Sequence, residues 1–468
     1  MRIFLVKAYD IVDNWTRADG ADAEATMTGD ELREHLRETL DAKTIHSLAE
    51  KYGVQERERK LIVFELVVAL ILSGGTHEGG RQYDVLRTYV DNGAPRVRRG
   101  TFYSWFTEPL LKLVTELLDK AIALGQQQPK LLPGILGGVT DWRVFDSTTI
   151  RLDDALVDTF PGAGEYAALK IHKEWSVGTG NLVGYKITPA REHDSPHLVV
   201  DERRRGTGLL VDLGYASIER LAECEMYDVQ FVMRLKENWK PTVDRLVRGA
   251  AFRDAVEGAD FDALLEDDVV VLDGHAIDGD VTVGRGALKV SCRLVGIPTP
   301  KGYCFFLTNV PRKTHGPHQV GDLYRVRWEI ELDNKVDKAG ARLDEISARK
   351  PVSARILVLA TLLNTTIART IVQSEKLAVV LAKKDPSEPA SRPPLHPILL
   401  MRALASAHGT ITRLLLSDTP ELPEWRKLMS RLRDFGSDPN WRRRPSVLDR
   451  IQGLTAPPKP RRGSRAAA

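Results

Sequence analysis

Cysteine is scarce in this chain, and its scarcity excludes two kinds of protein. Cys224, Cys292 and Cys304 are its only cysteines. An odd number of widely spaced cysteines fits neither a disulfide framework nor the close ligand spacing of a zinc site. Sparse, unpaired cysteines are typical of a reducing cytoplasm. We therefore expect a cytoplasmic protein.

Long apolar runs are also missing. The longest, Leu66 to Leu72, follows Glu65 and is far shorter than the ~20 residues that a transmembrane helix needs. The apolar start, Met1 to Val6, is too short for a signal peptide. These absences predict no membrane association.

Positive charge is concentrated at one end of the chain. The 468 residues suggest two to four domains, and 43% hydrophobic with 28% charged residues is typical of a soluble globular protein. From Glu375 to Ala468 there are 18 Lys+Arg and 9 Asp+Glu, which gives +9, so the first 374 residues carry 3 − 9 = −6. A basic tail on a slightly acidic body suits contact with a phosphate backbone, although a solubilising tail would look the same.

One stretch near the C-terminal third carries a set of chemically active side chains. Tyr324, Arg327, Glu331 and Lys338 are three, four and seven residues apart, which predicts one face of a single helix. A carboxylate can hold a hard metal ion, Arg and Lys can bind phosphate oxygens, and aromatic rings can stack on bases. The alternative is an ordinary amphipathic helix, because helical periodicity is common.

Two aspartates accompany this stretch. Asp146 lies near the end of a predicted strand over residues 144–149, and Asp212 ends a predicted strand that begins at Gly208. Strand ends of an open α/β sheet face the crevice where ligands bind. Asp146, Asp212 and Glu331 would form an all-oxygen pocket that suits Mg²⁺ or Mn²⁺ rather than zinc.

The ordered set Asp146, Asp212 and Glu331, with the Y-x2-R-x3-E-x6-K pattern around the last acid, resembles the bacterial cut-and-paste insertion-sequence transposases of family four. Trp328 and the run from Asp212 to Tyr215 also resemble that family. The resemblance implies an α/β, ribonuclease-H-like mixed sheet flanked by helices and interrupted by a β-rich insertion. It also implies N-terminal and C-terminal helical regions.

The resemblance also implies an activity. Asp146, Asp212 and Glu331 would hold two Mg²⁺ ions, for which Mn²⁺ would substitute, and the enzyme would cut and rejoin DNA through a hairpin intermediate. Arg327, Lys338 and Tyr324 would hold phosphates. Trp328 would either fill the gap left by a flipped nucleotide or pack beneath the helix, and we favour packing. The partners would be double-stranded DNA, at the element ends and the target, and a second subunit in a homodimeric synaptic complex.

The domain prediction has five parts: a helical DNA-binding region (1–135), the first part of the catalytic core (136–236), a β-rich insertion (237–312), the second part of the core (313–375) and a basic helical region with a tail (376–468). Two segments resemble parts of helix-turn-helix motifs, Ile45 to Val54 and Arg96 to Phe106, with Thr101 as a possible cap in the second. A plain helical bundle is the alternative. In the insertion, Tyr303 or Phe305 is the candidate for handling a flipped base.

Two rival functions share these residues. A metal-dependent nuclease of the same fold would cut without joining, and a DNA-binding regulator of the element would have lost catalysis. The intact acids favour an enzyme over the regulator.

Overall fold

The computed structural model describes residues 27–456, except 55–60, 74–80, 250–255, 271, 386 and 418–421. The apolar start over residues 1–6 and the basic end over residues 457–468 lie outside the described residues.

A nine-stranded sheet forms the centre of the molecule. Its strands lie in the order β3-β2-β1-β4-β5-β9-β8-β7-β6. The first three strands are antiparallel, and β4 and β5 run parallel to β1. This 3-2-1-4-5 arrangement confirms the predicted ribonuclease-H-like mixed sheet. The strands are β1 (Trp142–Arg151), β2 (Ala168–Ser176), β3 (Leu182–Pro189), β4 (Gly208–Val211), β5 (Gln230–Arg234), β6 (Thr242–Arg248), β7 (Ile277–Arg285), β8 (Leu288–Thr299) and β9 (Gly302–Thr308).

The predicted insertion is rich in β-structure, and it continues the central sheet. Strand β9 pairs antiparallel with β5, and β8, β7 and β6 follow it in turn. Tyr303 and Phe305 lie on β9, with ring centroids 5.9 Å apart, and Phe305 also contacts Phe261 at 5.2 Å. Both aromatic side chains are therefore engaged in packing within the insertion.

Helices cover the sheet and build both ends of the chain. Among the described residues, six helices precede the sheet: α1 (Gly29–Leu40), α2 (Ala42–Tyr52), α3 (Val63–Leu72), α4 (Arg81–Asp91), α5 (Arg99–Tyr103) and α6 (Glu108–Gln127). Others lie between its strands or directly after them: α7 (Ile218–Met226), α8 (Phe261–Glu266), α9 (Pro317–Arg325) and α10 (Trp328–Lys335). The last group is α11 (Pro351–Leu381), α12 (Pro397–Ser406), α13 (His408–Leu416), α14 (Leu422–Gly436) and α15 (Val447–Ile451).

Among the described residues, neither helix-turn-helix candidate includes a recognition helix that could enter a DNA groove. After α2 and its left-handed Gly53, the next described helix is α3, whose residues are buried apart from Glu65. A helix enclosed in the core cannot enter a DNA groove. In the second candidate, α5 has five residues and its N-cap is Arg98, so Thr101 lies inside the helix and is not its cap. The buried α3 favours the helical-bundle alternative for the first candidate, whereas Arg98, Arg99 and Thr101 of the second are exposed.

Helix α11 joins the two ends of the chain. It continues to Leu381, so the predicted domain boundary at residue 375 falls inside it. It is long and apolar enough to cross a membrane by length and composition, and 94% of its most apolar window is buried by protein. The side chains of α1 to α4, α6, α11 and α12 to α14 share one hydrophobic core. The N-terminal and C-terminal helices therefore pack as one body around α11.

Candidate active site

Asp146 and Asp212 lie at equivalent positions of two neighbouring strands. Strands β1 and β4 pair in parallel, and the last pair in register is Phe145 with Val211. Asp146 and Asp212 are the next residues of the two strands. Adjacent strands are about 4.8 Å apart, and side chains at matching positions leave the sheet on the same side. Asp212 follows the end of β4, as predicted, whereas Asp146 lies in the middle of β1 because β1 continues along β2 to Arg151.

Glu331 reaches the same place from α10. Asp146 experiences the charges of Arg327, Glu331 and Asp212, so all four groups form one electrostatic cluster. Arg327 donates to Glu331 Oε1 across 2.6 Å. Asn334, three residues after Glu331, donates from Nδ2 to Asp146 Oδ2 across 2.8 Å. Asp212 and Glu331 therefore act electrostatically on Asp146, the third acid that the sequence singles out.

The four residues of the Y-R-E-K pattern do not share one regular helix. Tyr324 lies near the end of α9, and the junction to α10 is made of tight turns in which the Arg327 N–H bonds to the Tyr324 carbonyl. After α10, residues Val336–Gly340 form a π-helical turn that contains Lys338. Tight turns and π turns change the rotation per residue, so 3.6-residue spacing no longer fixes a common face. The single-helix prediction is therefore wrong.

Tyr324 is buried against the neighbouring strand. Its ring lies 4.8 Å from that of Phe306 on β9, and the Arg327 guanidinium lies 5.7 Å from the Tyr324 ring centroid. Burial raises the pKa of Tyr324 to about 12. The hydroxyl therefore keeps its proton at neutral pH and can act as a hydrogen-bond donor next to Arg327.

Trp328 is not packed beneath the helix. Its side chain is 49% exposed, and the Lys335 ammonium lies 5.2 Å from its ring centroid. The buried side of α10 consists instead of Glu329, Ile330, Asp333 and Asn334. The favoured packing role is wrong, because half of the Trp328 side chain is exposed.

A cluster of buried charges, which the sequence did not reveal, holds the other side of α10. Lys173 Nζ contacts Asp333 and Asp337, and Arg369 Nε donates to Asp333 Oδ1 across 2.9 Å. Thr365 Oγ1 donates to Asp337 Oδ1 across 2.7 Å. We call Lys173, Asp333, Asp337 and Arg369 the buried charge cluster. The sequence did contain one signal of this cluster. Asp333 and Asp337 are four residues apart, on the side of the helix away from Glu331.

The polar residues of β2 lie close to the site without entering it. Lys170 contacts Asp194 at 3.0 Å, and Ser147, the neighbour of Asp146, donates to Asp194 across 2.9 Å. His172 is buried and bonds Thr188 through Nε2 at 2.9 Å. Asp194 therefore ties β1 to β2 at the edge of the site.

The carboxylates offer hard oxygen donors to a cation. Among the described residues, no group of three or more His, Cys, Asp or Glu side chains is placed to hold a metal ion. Arg327 engages Glu331, and Asn334 engages Asp146. Burial, opposed by Arg327 and assisted by Glu331 and Asp212, raises the pKa of Asp146 to about 6. A divalent cation would relieve the repulsion among the carboxylates of Asp146, Asp212 and Glu331. The donor set therefore fits Mg²⁺ or Mn²⁺.

Replacing Asp146 by asparagine should stabilise the metal-free protein while removing a metal ligand. The folded-state pKa of about 6 lies above the usual value for aspartate, so ionised Asp146 destabilises the fold as pH rises through that range. We expect Asp146→Asn to raise the free energy of unfolding by about 1–3 kcal/mol at pH 7.5 and by less at pH 5. Urea unfolding in EDTA at both pH values measures the change in the free energy of unfolding. An equal gain at pH 7.5 and pH 5 would contradict the raised pKa of Asp146.

Comparison with known proteins places the site in a family context. Residues 138–367, which contain Asp146, Asp212 and Glu331, match the family described as Transposase DDE domain. The transposase for insertion sequence element IS231C of Bacillus thuringiensis subsp. berliner is 29% identical over 20% of this chain and 21% of its own. The transposase for IS231F of B. thuringiensis subsp. israelensis is 23% identical over 42% and 49%, respectively.

Two further proteins are similar to this chain. The putative transposase InsL of IS186A from Escherichia coli K12 is 36% identical over 15% of this chain and 20% of its own. The chain therefore spans between a fifth and a half of the length of these relatives. The piggyBac transposase, in a synaptic complex with hairpin DNA, aligns over 87% of this chain and 85% of its own with a TM-score of 0.47 and 12% identity. Residues 138–367 therefore match a transposase DDE domain, and insertion-sequence transposases are among the proteins similar to this chain.

Proposed function

We propose that this protein is a DNA transposase of insertion-sequence family four, which cuts double-stranded DNA at the ends of its element and joins the freed 3′-OH to target DNA. The observation that carries the proposal is the cluster of Asp146, Asp212 and Glu331, contributed by β1, the end of β4 and α10. The matched DDE domain contains all three. A hairpin at the element end is the proposed intermediate.

Asp146, Asp212 and Glu331 would hold two Mg²⁺ ions, with Mn²⁺ as a substitute. DDE transposase domains generally depend on divalent metals, and the oxygen-only donor set is the one that Mg²⁺ prefers. Bound metal would supply an activated nucleophile and stabilise the leaving 3′ oxygen. The carboxylates would orient that chemistry, because each is fixed by a different element of the fold.

The flanking residues would hold the DNA. Arg327 contacts Glu331, and Lys338 lies in the π-helical turn that follows α10. Phosphates bound by these two cations would lie beside the acids. Tyr324 would donate a hydrogen bond from its hydroxyl to a phosphate. The 49% exposed ring of Trp328 supports the alternative role, in which it fills the gap left by a flipped nucleotide.

Two element ends must be brought together before joining. We propose a homodimer in which each subunit cuts the end that the other mainly grips, acting on the nucleoid in the cytoplasm without a membrane. The Arg442–Arg444 run, in the basic C-terminal region, is exposed at all three positions and would contact phosphates outside the active site.

Strand transfer tests the proposal directly. The full-length protein is incubated with Mg²⁺, linear DNA that carries the two ends flanking its own gene, and a supercoiled plasmid. Joined product, abolished by EDTA, is the expected result. Cut but unjoined DNA would support the nuclease instead, and Mg²⁺-independent binding without cutting would support the regulator.

A further inference from the structure

Asn334 contacts one of the proposed metal ligands directly. Its Nδ2 donates to Asp146 Oδ2 across 2.8 Å, and the residue is only 8% exposed. The Oδ1 of the same amide has no hydrogen-bond partner among the described residues. A buried polar group of this kind costs free energy, so simple packing does not account for the choice of asparagine.

The buried charge cluster fixes the direction in which Asn334 points. Asp333, the preceding residue, bonds Lys173 of β2 and Arg369 of α11. Asp337, one turn later, is held by Lys173 and Thr365. With these two anchors in place, α10 cannot rotate about its axis. Asn334 is therefore kept facing β1.

A neutral amide suits this position. An aspartate here would add a fourth negative charge beside Asp146, whereas an asparagine donates a hydrogen bond without cancelling the charge that attracts a cation. By engaging Oδ2, the amide fixes the carboxylate plane of Asp146 and leaves Oδ1 available as a ligand. Hydrogen-bonded partners of metal ligands orient them and tune metal affinity.

We propose that Asn334 is a positioning residue of the metal-binding centre, which orients the Asp146 carboxylate toward the cation. This inference rests on the proposed function, because it assumes that Asp146 is a metal ligand. It adds to the three acids a residue that acts through Asp146.

Direct metal binding tests the role without relying on activity. Mn²⁺ binding to the full-length protein is measured by electron paramagnetic resonance for the wild type, Asn334→Ala and Asp146→Ala. We expect Asn334→Ala to weaken Mn²⁺ binding about 10- to 100-fold. DNA cutting should need correspondingly more Mn²⁺ and recover when Mn²⁺ is raised, which a merely destabilised protein would not do.

Asn364→Ala is the matched control, because Asn364 is a buried asparagine inside α11. It should bind Mn²⁺ like the wild type. If Asn334→Ala does not fold, Asn334→Leu keeps a similar volume without the donor and should show the same loss. Wild-type Mn²⁺ affinity in the Asn334 variant, with binding lost in Asp146→Ala, would overturn the positioning role alone. Unchanged binding in Asp146→Ala would instead overturn the metal site of the proposed function.

Discussion

Replacing Glu331 by glutamine is expected to lower the rate of DNA cutting about a thousandfold or more while leaving binding to the element end nearly unchanged. The proposed metal loses an anionic ligand, and metal stabilisation of the transition state is worth several kcal/mol, each 1.36 kcal/mol being tenfold in rate. The amide keeps the volume of the carboxylate and can still contact Arg327. Single-turnover cleavage and a gel-shift assay measure the two properties.

Glu329→Gln is the matched control for this experiment. It makes the same chemical change two residues away on α10, where Glu329 is buried and burial raises its pKa. Cutting by this variant should stay close to that of the wild type. An equal loss of cutting in both variants, or normal cutting by Glu331→Gln, would remove Glu331 from the proposed site.

Replacing Lys173 by methionine should destabilise the protein by about 3–5 kcal/mol. Lys173 is 2% exposed and contacts Asp333 and Asp337, which are also buried. Its removal leaves the two acids with Arg369 as their only cationic partner among the described residues, and a buried charge without compensation is costly. Chemical denaturation of the metal-free protein at neutral pH measures the loss.

Two variants make this result specific to the buried charge cluster. Lys170→Met changes a lysine of the same strand whose partner, Asp194, is partly exposed, and should cost about 1 kcal/mol or less. Adding Asp337→Asn to Lys173→Met removes one excess negative charge and should restore part of the stability. Equal losses in Lys170→Met and Lys173→Met, or no recovery in the double variant, would mean that packing of the lysine stem dominates.

The sequence predicted the catalytic half of the sheet well. Strands β1, β2, β4 and β5 carry apolar runs or alternation bounded by turn residues, and those patterns depend only on local chemistry and burial. The grouping of Asp146, Asp212 and Glu331 came from the order of motifs. Their proximity depends on the parallel pairing of β1 with β4, which no local pattern contains.

The errors arose where tertiary structure overrides periodicity. Spacing along an ideal helix cannot anticipate the tight junction after Tyr324 or the π turn around Lys338. A sequence does not show that Lys173 and the distant Asp333 bury each other. Trp328 looked like a core residue, because aromatic residues are more often buried than not.

The sharing of α11 between both ends of the chain bears on how the protein could be dissected. Cutting the polypeptide near residue 136 or residue 376 to isolate a smaller catalytic fragment would strip apolar partners from α11. That helix also supplies Arg369 and Thr365 to the cluster that orients α10. The smallest active unit must therefore retain the leading and trailing helices, although neither contributes an acid to the site.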